Sequence, residues 1–214
     1  MTTLPVGSSW HRVYHARFGC AEPNPGYGDS RFAPFDAAHT GQRIPGQRVP
    51  TLYLAATPEA ALLETALHGV SEWEPREVAE LSLLSLHHAQ LRLPEGLVFA
   101  DLRDPQLDAL TLDRSSIASS SAEHYPCTRS VAKAIHAAPQ AVDGTLWRSR
   151  QTELNDRPPA EVMVVFADRP HGRREAWALA PHTHSSGTLL EGAGRLWLDE
   201  LADALDITIF SDDV

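Results

Sequence analysis

Lysine is nearly missing from this chain. One residue, Lys133, stands against 17 arginines in 214 positions, and the acidic residues leave a formal net charge of −10. A surface that binds DNA or RNA needs excess cation facing phosphate, so this balance argues against direct nucleic-acid binding. It leaves room for a small anion held by one or two local arginines. Cysteine is scarce as well. Cys20 and Cys127 lie in no CxxC or other metal-ligand spacing, and two such thiols are expected to be plain buried residues. No apolar run approaches the roughly 18 residues of a membrane span. The start, MTTLPVGSSWHR, has neither the basic opening nor the apolar segment of a secretory leader, so the expected location is cytoplasmic, with no membrane partner. Internal repeats and long linkers are absent too.

What remains is an ordinary globular composition, long enough for one sizeable core. Residues 1–9 read as a loose tail and 10–214 as a single domain. WHRVYHARF (10–18) alternates as an opening strand. Residues 19–48 are rich in Gly and Pro with little periodicity and read as a long ordered loop, a kind of segment that is often functional. TLYLAA (51–56) is a strand, and a helix follows at once, with Thr57 as N-cap and Pro58 in the first turn. Further strands are expected at 77–86, 96–102, 145–149, 161–168, 175–181 and 207–210. A short helix then a serine-rich loop fill 103–126, and helices are expected from Thr128 to about His136 and over 196–205. Many strands with a few short helices predict an α+β fold built on a mixed sheet.

Three polar residues sit in apolar or glycine-rich frames. Arg31 follows the glycines of GYGDSRFAP (26–34), where backbone can approach a ligand and a guanidinium can fork onto phosphate. Glu64 falls on the apolar side of the helix after Thr57, among Ala60, Ala61 and Leu67. A carboxylate there costs several kcal/mol unless it is paired, so it is either half of an ion pair with Arg12 or Arg31, or part of a site. Ser149 ends the apolar strand of DGTLWRSRQ (143–151) outside any GxSxG elbow. Arg12 and Tyr53 are supporting candidates, Tyr53 offering a flat face as well as a hydroxyl. His171, His182 and His184 have an extended metal-like spacing, but Pro and Ser-Ser-Gly interrupt it and no Cys or Glu completes a set, so no metal is expected.

The order Arg31, Glu64, Ser149 comes in the settings G-x-x-R-F-x-P, Y-L-x-x-x-P-E-x-A-L-x-E and D-G-x-L-x-x-S-R. With Arg12 before Val-Tyr and Tyr53 before the glutamate helix, the chain resembles the RES domain family, named for its Arg, Glu and Ser. The resemblance covers roughly 10–168, and the tail from 169 to 214 has no counterpart in the pattern. It implies a fold similar to ADP-ribosyltransferase toxins and a toxin of a type II toxin–antitoxin system that degrades NAD by hydrolysis or phosphorolysis. It also implies no cofactor, NAD as substrate, inorganic phosphate as a candidate co-substrate, and an Xre-type helix-turn-helix antitoxin as partner. Arg31, Glu64 and Ser149 would then be catalytic, with Arg12 and Tyr53 binding substrate. A protein ADP-ribosyltransferase and a non-catalytic NAD- or ADP-ribose-binding module fit the same residues.

Overall fold

EVMVVF (161–166) is apolar at nearly every position, a pattern that suits a strand covered on both faces. A computed structural model describes residues 1–37, 47–70, 75–93, 95–169, 177–179 and 186–211. In it this segment is the centre of the sheet: β8 (Glu161–Phe166) runs antiparallel to β3 (Thr51–Ala55) and to β7 (Gly144–Arg148). Beyond β7 lie β6 (Leu97–Asp101), parallel to it, and β1 (Thr2–Leu4) on the edge. Beyond β3 lie β2 (Ser9–His15), β5 (Leu86–Arg92) and β10 (Ser186–Thr188), with β9 (Ala178–Leu179) also on β5. A separate parallel pair joins β4 (Glu77–Ala79) to β11 (Thr208–Phe210). The result is the mixed sheet with short helices that the sequence predicts.

Period-two alternation divides the core between the two sheet faces. Val162, Val164 and Phe166 join Val13, Ala55 and Trp147 beneath the helices. Met163 and Val165 join Trp10, Tyr14, Leu52, Leu54 and Leu146 on the other side. The helical face carries α1 (Pro58–Leu63), α4 (Tyr125–Ala137) and α6 (Gly192–Ala204). Thr57 caps α1 by accepting from the Ala60 N–H at 3.1 Å, and Pro58 sits in the first turn as expected.

Several expectations are corrected. Residues 1–9 are not a loose tail: Thr2–Leu4 pair with Leu97–Phe99, supplying hydrogen-bond partners to a sheet edge that would otherwise lie open. Three residues are too few to show a period. The strand expected over 77–86 is β4 followed by the short helix α2 (Glu80–Leu83); Leu81 and Leu84 are exposed while Leu83 is buried, which no strand alternation gives. β5 was hidden because His88, at a fully buried position, breaks the apolar pattern. α4 begins at Tyr125, and the Thr128 hydroxyl donates to a carbonyl, so Thr128 is not a cap. α3 (Gln106–Ala109) is the short helix expected there, and the added α5 (Arg150–Leu154) follows β7 directly. Cys127 is exposed and Cys20 half-buried. Most of the 175–181 segment and the three C-terminal histidines lie outside the described residues.

β7 is crowded at its start. A Cβ at Gly144 would lie 2.0 Å from the Val164 carbonyl oxygen and 3.0 Å from the Phe99 ring. Gly144→Ala must therefore push apart two central strands at a cost of about 3 kcal/mol. The expected fall in Tm is on the order of 10 °C. An unchanged thermal midpoint would show that the sheet yields there more easily than its packing implies.

Candidate functional site

β7 delivers Ser149 to the start of α5, and the neighbouring α1 ends at the residue it meets. Ser149 is fully buried and is the N-cap of α5, its Oγ accepting from the Thr152 N–H at 3.2 Å. Its one hydroxyl proton goes to Glu64 Oε1 at 2.6 Å. A hydroxyl offers one donor, so this serine serves Glu64 and has no proton left for another acceptor. Glu64 is the C-cap of α1, half-buried, and borders a cavity of about 430 Å³. That volume lies in the range of small-molecule sites. The hydrogen-bonded partner of Glu64 is thus Ser149, and the ion pair with Arg12 or Arg31 weighed from sequence does not form.

Arg31 also borders the cavity and is buried. Its Nη1 donates to Ser120 O at 2.8 Å, Ser120 Oγ at 2.7 Å and Ile117 O at 3.3 Å. Burial pushes its guanidinium below the ordinary arginine value, with Tyr125 and Glu64 opposing the shift. Among the described residues no carboxylate hydrogen-bonds to it. Tyr53 projects from β3 toward the same cavity. Its hydroxyl accepts from the Phe32 N–H at 3.0 Å and from Ser30 Oγ at 2.9 Å, and burial raises it to about 12. Tyr53 therefore pins the glycine loop carrying Arg31 while its ring stands edge-on to Trp147.

Arg12 differs. It borders the cavity, but alternation along β2 puts it with Trp10 and Tyr14 of the opposite face, away from His11 and Val13. Its guanidinium lies over the Tyr14 ring and donates to Cys20 O at 2.6 Å and Gly19 O at 3.4 Å. Burial lowers it to about 10, still charged at neutral pH. β2 and β3 pair through His11 and Ala55 alone, and where these strands part, residues of both faces reach the cavity edge. The structure thus joins Arg31, Glu64, Tyr53 and, through Glu64, Ser149, while the charge of Arg12 is committed to the 19–20 turn.

Sequence reading missed the remaining walls. His11, Trp147 and Tyr125 line the cavity, and Thr65, His68 and Asp29 are exposed at its rim. Asp29 is paired with Arg129 of α4. His11 is fixed from behind, its Nδ1 3.1 Å from His88 Nε2, and His88 stands edge-on to Trp197. The alternation of β2 would have placed His11 opposite Arg12; nothing local points to Tyr125. Among the described residues, no group of three His, Cys, Asp or Glu is arranged to hold a metal, and no helix is long and apolar enough to cross a membrane.

The histidine pair yields a pH prediction. Burial pushes His11 down to about 4 and His88 to about 3, both from 6.5. The folded chain keeps both rings neutral while the unfolded chain protonates them. Their contribution is therefore intact above about pH 6.5 and declines as pH falls toward these lowered values. In denaturant unfolding between pH 7 and 5, His88→Gln should flatten the fall in stability by up to one proton, about 1.4 kcal/mol per pH unit. An unaltered slope in the folded variant contradicts this.

The comparisons agree with the motifs. A family model described as RES domain matches residues 10–184 of the chain. No curated protein and no solved structure gives a significant match.

Proposed function

The chain belongs to the RES domain family, and on that premise we propose that it is the toxin of a type II toxin–antitoxin system, an enzyme that cleaves the nicotinamide–ribose bond of NAD. The observation that carries this reading is the shared cavity: a carboxylate oriented by a buried serine, beside a buried guanidinium that hydrogen-bonds to carbonyl and hydroxyl oxygens and to no described carboxylate. A cation held in that way suits an anionic ligand, and a carboxylate beside it suits developing positive charge.

Nicotinamide in NAD is a pyridinium, so when the N–C1′ bond breaks the electron pair stays on the ring nitrogen and the base leaves neutral. No acid is needed, unlike the glycosidases that use two carboxyls. Glu64 stabilises the oxocarbenium character at the ribose and accepts from a ribose hydroxyl, with Ser149 as its positioning residue. Arg31 holds the pyrophosphate. The rings of Tyr53 and Trp147 flank the nicotinamide riboside. The acceptor is water, which releases a proton to solvent as its oxygen bonds to C1′, or inorganic phosphate, one oxygen of which forms that bond. The partner is an antitoxin of the Xre helix-turn-helix type, seated over the cavity mouth; family membership alone supports it.

An NAD time course with and without phosphate, products identified by mass, tests the reading. Nicotinamide with free ADP-ribose identifies a glycohydrolase, and phosphorylated ADP-ribose appearing with phosphate identifies a phosphorylase. Intact NAD in both conditions, with folded protein, defeats the proposal in favour of protein ADP-ribosylation or a binding module. Glu64→Gln should lower kcat by roughly 10²–10³-fold. Ser149→Ala should lower kcat by about tenfold through the freed carboxylate and cost about 1 kcal/mol as a lost N-cap. Arg31→Ala should raise KM for NAD, whereas Arg12→Ala should chiefly lower Tm. Equal KM effects from the two arginines would overturn the division of labour between them.

A further inference from the structure

Arg31 is held by a stretch of chain almost 90 residues away, and the manner of holding decides which part of it meets the cavity. All three of its hydrogen bonds with the described residues use Nη1, on Ser120 O, Ser120 Oγ and Ile117 O. The Ser120 hydroxyl points its own proton toward Ile117 O at 3.4 Å, turning a lone pair to the guanidinium. The ring of Tyr125, buried and bordering the cavity, lies under the guanidinium with Arg31 Cζ 5.4 Å from its centroid. Thr128 Oγ1 directs its single proton to the Arg31 carbonyl, with Tyr125 O 3.1 Å away, fastening the backbone of Arg31 to the first turn of α4. Nη1 is thus saturated and the guanidinium plane is set by a ring face. The Nε–Nη2 edge makes no hydrogen bond with the described residues, and that edge has the parallel N–H geometry that grips two oxygens of a phosphate.

We propose that Ser120 and Tyr125 are positioning residues for substrate binding, acting through Arg31: they fix its Nη1 side and its plane so that the Nε–Nη2 edge faces the cavity. A cation–aromatic contact strengthens as water is excluded, and a guanidinium with one nitrogen anchored loses less freedom when it closes on an anion. The inference deepens the NAD-cleaving reading and rests on it for the identity of the ligand; the clamp itself requires only an anion at Arg31.

The test compares Tyr125→Leu, Tyr125→Phe and Ser120→Ala with wild type in NAD turnover, in calorimetric binding of ADP-ribose, and in Tm. Tyr125→Leu and Ser120→Ala should each raise KM and the Kd of ADP-ribose about tenfold with kcat within about twofold. Tyr125→Phe, which keeps the ring, should stay near wild type. In the Arg31→Ala background, Tyr125→Leu should add nothing further, because its effect passes through a group already removed. A folded Tyr125→Leu protein with unchanged Kd, a loss confined to kcat, or full additivity with Arg31→Ala overturns the proposal, as does wild-type protein that binds no ADP-ribose. Wild-type protein that binds ADP-ribose through this clamp yet leaves NAD intact supports the clamp and removes the catalytic reading. The two claims therefore fail separately.

Discussion

One proton, donated by Ser149 to Glu64, joins the end of a central strand to the end of a short helix. The rest of the site is arranged around the carboxylate it holds. Glu64 stands at the C-terminal end of α1, where the backbone dipole disfavours negative charge, and it forms no ion pair with the described residues, although Arg31 faces it across the cavity. A residue chosen for stability there would be apolar. The fold instead spends the hydroxyl of a fully buried serine on it, with the serine itself locked as the cap of α5. A carboxylate kept in an unfavourable place and aimed by a residue with a second structural task is typical of groups retained for chemistry.

Arg31 presents the complementary case. Its charge is buried and hydrogen-bonded to carbonyl and hydroxyl oxygens and, among the described residues, to no carboxylate. A carboxylate in that place would have satisfied the guanidinium and closed it to ligands. Carbonyl and hydroxyl oxygens hold it while leaving its charge uncancelled. Arg12 uses similar acceptors on the opposite face of the sheet, where it secures the 19–20 turn and lies over Tyr14. Two buried arginines with like partners thus have different consequences, decided by which face of β2 and which end of the glycine loop carries them.

Tyr53 shows how the loop before β3 becomes part of a rigid site. Residues 26–34 have no regular structure, yet the Tyr53 hydroxyl accepts from both Ser30 and the Phe32 backbone, so a strand residue sets the loop conformation. The cavity opens where β2 and β3 part after a single bridging pair. Its walls therefore come from a strand gap, a helix end and a clamped loop, the kind of assembly in which rigid elements position functional groups.

Local physics made much of this legible in the amino-acid sequence. The cap and proline of α1, the unbroken apolar run of β8 and the polar residues set in apolar frames all act within a few positions of themselves. They suffice for the α+β class, for the elements carrying Arg31, Glu64 and Ser149, and for membership of the family. What local pattern could not reveal were facts of long-range contact. The Ser149 proton goes to a residue 85 positions away, and the partners of Arg31 lie 86 and 89 positions away. The side of the sheet that receives the Arg12 charge depends on how β2 is covered, and Thr2–Leu4 become a strand because β6 offers them an edge. Donor–acceptor pairing between distant segments has no period to read. It is set by the packing of the sheet and helices, and only the tertiary structure decides it.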